Sequence, residues 1–228
     1  MKRTRRILTF LLAALICISL TACGGEKDEV VIGGETYSTE LTDLDLSDRG
    51  LKNKDIKNLK YMKNLCSINL RSNEISDISV LEELPNLSYV ILWDNNIKDI
   101  SPLAEHTDIW VLDIGKNEIK DISPLENLTN ISWLNAGENP IKDISVLENL
   151  TKLDTLGMGM CKISDVTPLE SLDSLINVYL DGNKIKDVSA LEELSGLKEL
   201  NLKDNPIKKD KIEELQEELP NCTIHFDE

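Results

Sequence analysis

The segment IWVLDIGKNEIKDISPLENLTN, residues 109–130, decides the fold. Ile109, Leu112, Ile114, Ile119, Ile122, Leu125 and Leu128 form an aliphatic frame with Asn117 between Ile114 and Ile119, and the same frame starts again at Leu65, Leu87, Ile131, Leu153, Leu175 and Leu197, always in steps of 22 residues. The asparagine travels with it, at Asn73, Asn95, Asn117, Asn139, Asn183 and Asn205, and the one missing member of that progression is Cys161. Self-similarity at a period of roughly 20–50 residues marks one structural unit copied along the chain, each copy too small to bury its apolar face alone. Alternating Leu112 and Ile114 read as a short strand with outward neighbours, and the rest of the unit as a tight return. A degenerate copy (Leu41, Leu44, Leu46, Arg49, Leu51) precedes the first regular one by 24 residues, and Ile56, Leu59 and Met62 are spaced for a helix in its longer return. At the far end Leu219, Cys222 and Ile224 restate the strand frame, after a helix carrying Ile212, Leu215 and Leu219 on one face that Pro220 stops. The prediction is about nine short parallel strands in one domain over residues 30–228.

Each polar point of the frame has a physical task. The ladder asparagine sits where the chain leaves the strand, and its amide can donate to and accept from turn backbone groups that would otherwise be buried unpaired, at about 1–3 kcal/mol each. Asp77, Asp99, Asp121, Asp143, Asp165 and Asp187 recur before Ile or Val and then Ser or Thr. That placement suits capping of the free N–H groups of the following turn rather than metal binding. Asp43, Asp45 and Asp48 lack the glycine and closing glutamate of a calcium loop.

On these residues the chain resembles leucine-rich repeat proteins of the 22-residue class that bacterial internalins share with eukaryotic phosphatase regulators. The resemblance covers nearly everything after the N-terminal segment. It implies an α/β class fold: a right-handed solenoid with a parallel sheet on its concave face and short 3₁₀ or helical turns on its convex face. No immunoglobulin-like module follows the repeats and no sortase-type signal ends the sequence, so internalin-style receptor binding is not carried over.

The N-terminus carries a different message. Lys2, Arg3, Arg5 and Arg6 precede the apolar run Ile7–Leu20, which is too short to span a bilayer comfortably and reads as a secretory signal over residues 1–22. Leu20-Thr21-Ala22-Cys23-Gly24 resembles the bacterial lipobox, which implies a diacylglycerol thioether on Cys23 and usually an added acyl chain. Residues 23–29 then form a tether, and a hairpin around Gly33-Gly34, about residues 30–40, covers the open end of the solenoid; a helix and strand, about 206–228, cover the other. The expected location is the outer face of a bacterial cell membrane, with contact to lipid through Cys23 only.

Beyond residue 22 the chain holds 21 Lys and Arg against 41 Asp and Glu, a net charge near −20 that argues against nucleic acid as a partner. Of the three cysteines left after Cys17 and Cys23, Cys161 and Cys222 fall at core positions and read as small buried hydrophobes rather than a disulfide framework. Enzymatic chemistry finds little support. His106 and His225 lie in distant repeats, and phosphate-loop and metal motifs are missing, so neither a catalytic site nor a cofactor is expected.

Recognition is better supported. The register puts Tyr89, Ile91, Trp93, Val111 and Trp133 outward on neighbouring strands, with Trp110 at the flank, Asp113 and Asn135 between them and Tyr179 farther along. An apolar, aromatic patch on a sheet that should be solvated marks a binding surface. Gly115, Gly137 and Gly159 fall in one column beside Trp93 and predict a low floor. The leading expectation is a monomeric, non-enzymatic, lipid-anchored protein that binds a protein or peptide on its concave face. Capture of a carbohydrate or cell-wall fragment by aromatic stacking, and an envelope scaffold without a ligand, are the alternatives.

Overall fold

The computed structural model describes residues 28–227. The signal segment 1–22 and Cys23 lie outside the described residues. The chain opens with an antiparallel hairpin, β1 (Glu29–Ile32) and β2 (Glu35–Ser38), turned by Gly33 and Gly34 at φ 57° and 90°. Glu29 is already paired, with Ser38, although it falls in the stretch read as tether. Val30 and Ile32 bury their side chains against the 3₁₀ helix Lys57–Tyr61, and Asn58 Nδ2 donates to the Val31 carbonyl at 2.8 Å. Arg49 fastens the hairpin to the first repeat by bonding both Glu35 and the Tyr37 hydroxyl.

Nine three-residue strands follow: β3 (Asp43–Asp45), β4 (Ser67–Asn69), β5 (Tyr89–Ile91), β6 (Val111–Asp113), β7 (Trp133–Asn135), β8 (Thr155–Gly157), β9 (Asn177–Tyr179), β10 (Glu199–Asn201) and β11 (Thr223–His225). They pair in chain order as a parallel sheet, each residue opposite its counterpart one repeat away. This is the solenoid that the period implies. Six of the returns carry 3₁₀ helices led by Ser or Thr, such as Ser101–Leu103, Ser123–Leu125 and Thr167–Leu169. In each, the recurring aspartate accepts from the backbone N–H two residues on, as Asp121 Oδ1 does from Ser123 N at 2.8 Å. Those bonds hold Asp121, Asp143 and Asp187 below the ordinary carboxylate range. The long first return holds its 3₁₀ turn where a helix is expected from Ile56, Leu59 and Met62, all of which are buried. Only the last return forms an α-helix, α1 (Lys209–Glu218), which ends just before Pro220 with Ile212, Leu215 and Leu219 buried.

The core is one continuous stack of the frame residues, nearly all without solvent contact. Beside it runs the asparagine ladder. Asn117 Nδ2 donates to the carbonyls of Ile114 and Gly115 in its own repeat and of Leu92 in the preceding one, while its Oδ1 accepts from Ile97 N at 3.0 Å. Asn73, Asn95, Asn139, Asn183 and Asn205 repeat the pattern, always reaching back to the preceding repeat. The residue just before each rung is left-handed: Ser72, Asp94, Lys116, Glu138, Met160 and Asp204 have φ between 50° and 59°. That turn swings the asparagine inward. A non-glycine residue there costs roughly 1–2 kcal/mol, which the buried amide bonds offset. Cys161 occupies its rung as a buried thiol, 3.6 Å from the Ala136 carbonyl and 3.7 Å from that of Gly159, and burial pushes its pKa up. Cys161 and Cys222 are free thiols, and the Cys66 Sγ lies 3.6 Å from the Asn64 carbonyl.

Candidate recognition groove on the concave sheet

Outward positions on β5 to β9 shape one open groove of about 440 Å³. Trp93, Trp133 and Tyr179 contribute aromatic surface to it. Gly137, Gly157 and Gly159 form the floor, and Asn135, Thr155, Glu138, Met160 and Asp181 complete the lining. The floor is low for a steric reason. A Cβ on Gly157 would meet Asn135 Oδ1 at 2.9 Å, and one on Gly159 would meet Asp181 Oδ1 at 2.8 Å. Gly115 serves differently: a Cβ there would meet both Trp93 Cδ1 and Asn135 Nδ2 at 2.8 Å, so this glycine lets the indole lie down across the sheet. Arg71 Cζ lies 4.4 Å and Lys116 Nζ 4.8 Å from the Trp93 ring centroid, cation–π distances that fix the ring in place.

Four of the expected residues, Trp93, Trp133, Asn135 and Tyr179, therefore share the groove. The other four stand outside it. Tyr89 packs edge-on against Trp110, with ring centroids 6.0 Å apart, and forms a separate aromatic pair at the flank. Ile91 is half-buried on the same strand. Val111 departs from the expectation of an exposed contact, being only 6% exposed. It sits between Tyr89 and Trp133 on the adjoining strands, whose larger side chains cover a short aliphatic one. Val111 thus supports the rings rather than meeting solvent.

Asp113 and Asn135 have an internal task that the sequence does not announce. Asp113 Oδ1 accepts from Gly115 N at 3.1 Å and from Asn135 Nδ2 at 2.9 Å, and Asn135 Oδ1 accepts from Gly137 N at 3.1 Å. Each such bond closes the strand end two residues on, and Asp45, Asn69 and Asn201 make the same bond. Burial beneath the aromatic patch raises the Asp113 pKa despite those two hydrogen bonds. Tyr179 donates its hydroxyl to Glu199 Oε2 at 3.1 Å, which orients the phenol at the far end of the groove.

The arrangement offers stacking surfaces, fixed dipoles and two carboxylates, but no acid–base pair of the kind that moves protons. Among the described residues no three His, Cys, Asp or Glu are placed to hold a metal ion. His106 is buried in a convex return with its Nε2 unpartnered, and desolvation lowers its pKa. His225 stands on the outermost strand, 3.7 Å from Glu199 Oε1. A second depression of about 260 Å³, between the returns at Asp121 and Asp143, is lined by carboxylates already bonded to their own turns.

Known proteins agree with this architecture. A family model described as Leucine Rich repeats (2 copies) matches residues 63–105. Internalin C2 of Listeria monocytogenes is 30% identical, over 85% of this chain and 86% of that one, with a TM-score of 0.77. A leucine-rich repeat protein of Leptospira interrogans is 21% identical over 75% of this chain and 51% of its own, with a TM-score of 0.63. The plant peptide hormone receptor RGFR1, solved in complex with RGF2, shares the fold at 18% identity and a TM-score of 0.61, over 84% of this chain and 36% of the receptor chain. No curated protein gives a significant sequence match.

Proposed function

Because the chain belongs to the internalin-like leucine-rich repeat proteins, we propose that it is a recognition protein whose concave groove binds a protein or peptide partner. Leucine-rich repeat proteins in general mediate protein–protein recognition. The observation that carries the reading here is the groove itself, where two indoles and a phenol stand around a floor of glycines. Neither indole N–H has a hydrogen-bond partner among the described residues, which leaves two donors free for a ligand. Aromatic anchors around a desolvated pocket supply most of the affinity in protein interfaces. The plant receptor, whose structure holds RGF2, supports the view that a solenoid of this fold can seat a peptide ligand.

Trp93 and Trp133 supply the affinity in this reading, with Tyr179 and Asn135 fixing orientation and Tyr89, Ile91, Val111 and Asp113 buttressing the patch. The basic and apolar N-terminal segment and the lipobox-like Leu20–Gly24 support a location outside a bacterial cell, in which the signal segment exports the chain and lipid on Cys23 holds it on the outer face of the membrane. No helix among the described residues is long and apolar enough to cross a membrane.

The deciding experiment pairs a Trp93→Ala, Trp133→Ala variant with wild-type protein in chemical crosslinking on native cells. Loss of one crosslinked partner protein, with unchanged circular dichroism, is the expected outcome. A crosslinking pattern unaffected by the double substitution would sink the groove as the binding site. Quenching of tryptophan fluorescence by saccharides and not by peptides would transfer it to carbohydrate capture. Cys23→Ser is expected to release the protein from the membrane fraction, and persistence there would overturn the anchor.

A further inference from the structure

The groove has a long axis and a charge direction, and together they narrow what can occupy it. From Trp93, just past β5, to Tyr179 on β9 the sheet steps across four strand spacings. At about 4.8 Å each, that is about 19 Å, the reach of roughly six extended residues. A volume of about 440 Å³ spread over that length suits a strand-like chain lying across the sheet.

Its two ends differ in charge. Next to Trp93, outside the lining, stand Arg71 and Lys116; Lys116 is paired with Asp94 at 2.9 Å. At the other end stands Asp181, two residues past β9, while Glu138 lines the middle of the groove just past β7, and neither Lys nor Arg lines the groove anywhere. The Asp181 carboxylate leans over Gly159 and accepts from Asn201 Nδ2 at 2.9 Å; neither it nor Glu138 has a cationic partner among the described residues. Tyr179 lies beside Asp181 with its hydroxyl already committed to Glu199, so its ring, rather than its oxygen, remains on offer. A carboxylate without a salt bridge beside an aromatic ring, with a second carboxylate midway along the groove, in a chain of formal net charge −16, forms a receptor for an organic cation.

We propose that the groove selects an extended polypeptide segment bearing a lysine or arginine, which seats against Tyr179 and Asp181, while an apolar side chain of the same segment stacks on Trp93 and Trp133. The inference rests on the peptide-recognition reading above and adds to it the partner's charge and its direction. Glycines at 137, 157 and 159 leave the main chain of the segment room to approach the sheet, and the exposed thioether of Met160 can repack around it. A charge-assisted bond to Asp181 would restrict the basic residue to one position, because Asn201 holds that carboxylate still.

The test is selection of a random linear hexapeptide display library on the full-length protein, repeated on Asp181→Asn and on Trp93→Ala, Trp133→Ala. Wild-type protein is expected to enrich peptides with Lys or Arg at one fixed distance from an aromatic or aliphatic residue. A synthetic winner should bind Asp181→Asn about tenfold more weakly, whereas its Lys→Gln derivative should bind wild type and Asp181→Asn alike. Winners without a positional basic preference, or equal binding of the basic peptide to Asp181→Asn, would overturn the charge assignment and leave peptide recognition standing. Retained binding by the double tryptophan variant, or no enrichment by wild type, would overturn the groove reading with it. All variants are compared at matched circular dichroism and thermal midpoint, so loss of fold is not mistaken for loss of contact.

Discussion

The repeats that begin at Ile109 and at Leu153 share a core and differ at most of the points that face outward. Leu112 and Leu156, Ile114 and Met158, Ile119 and Ile163, Leu125 and Leu169 are all without solvent contact in both. Asp121 and Asp165 cap their returns with the same bond. Yet Asp113 is answered by Gly157, Lys116 by Met160 and Asn117 by Cys161. The first repeat has a full rung of four amide hydrogen bonds; the second has one thiol lying 3.6 Å and 3.7 Å from two carbonyls. It is the second that lends Gly157, Gly159 and Met160 to the groove. With the inward frame and the turn cap kept, a unit held by neighbours with full rungs, Asn139 and Asn183, can surrender part of its own without losing register.

Emptying the strong rung should cost the most. Asn117→Ala leaves the Ile97 N–H without its acceptor and takes one of two ladder amides from the carbonyls of Leu92 and Ile114, which keep Asn95 and Asn139, and should lower unfolding free energy by about 1–3 kcal/mol in urea titrations with an unchanged slope. No measurable loss would mean that water replaces the amide. Filling the weak rung is the converse. Cys161→Asn restores an acceptor for Ile141 N and donors for Ala136 and Gly159, and is expected to raise stability by up to about 1 kcal/mol. A drop instead would show that the space around residue 161 has closed on the smaller thiol.

The smallest effect is one of sign. Asp121 has its pKa lowered by the Ser123 N–H, so its contribution to stability is present above the ordinary carboxylate range, near pH 4, and is lost as acid carries the solution through the lowered value. Asp113 has its pKa raised, chiefly by burial, so the stability it contributes is full below that range and is lost as pH rises through the raised value. Urea midpoints measured between pH 3 and pH 7 should therefore show Asp113→Asn gaining on wild type as pH rises and Asp121→Asn losing ground. Parallel curves would refute the opposed environments.

Most of the fold can be read from the chain because each repeat restates it: an interval of 22 residues sets the strands, and an alternation of two sets which side chains are hidden. What escapes that reading is whatever the period leaves unmarked. The left-handed residue before each rung shows itself in sequence only at Gly182; elsewhere it is carried by Ser72, Asp94, Lys116 or Met160, types that give no warning. Replacement of the expected helix at Ile56–Met62 by a 3₁₀ turn is equally silent, since apolar spacing of three serves both. For the groove, the outward columns are legible from register, but the division of the aromatics is not. Tyr89 turns to Trp110, Trp93 lies over Gly115, and Val111 disappears between its neighbours, because rotamers answer to the strands on either side. Asp113 and Asn135 look like free polar groups until their bonds to Gly115 and Gly137 are seen.

The ladder also has an arrow. Asn117 completes the turn of the repeat before it, Asn139 that of Asn117's own, and no rung reaches forward. A newly made stretch of this solenoid is consequently unfinished until about twenty further residues have been added, and every unit is sealed by its younger neighbour.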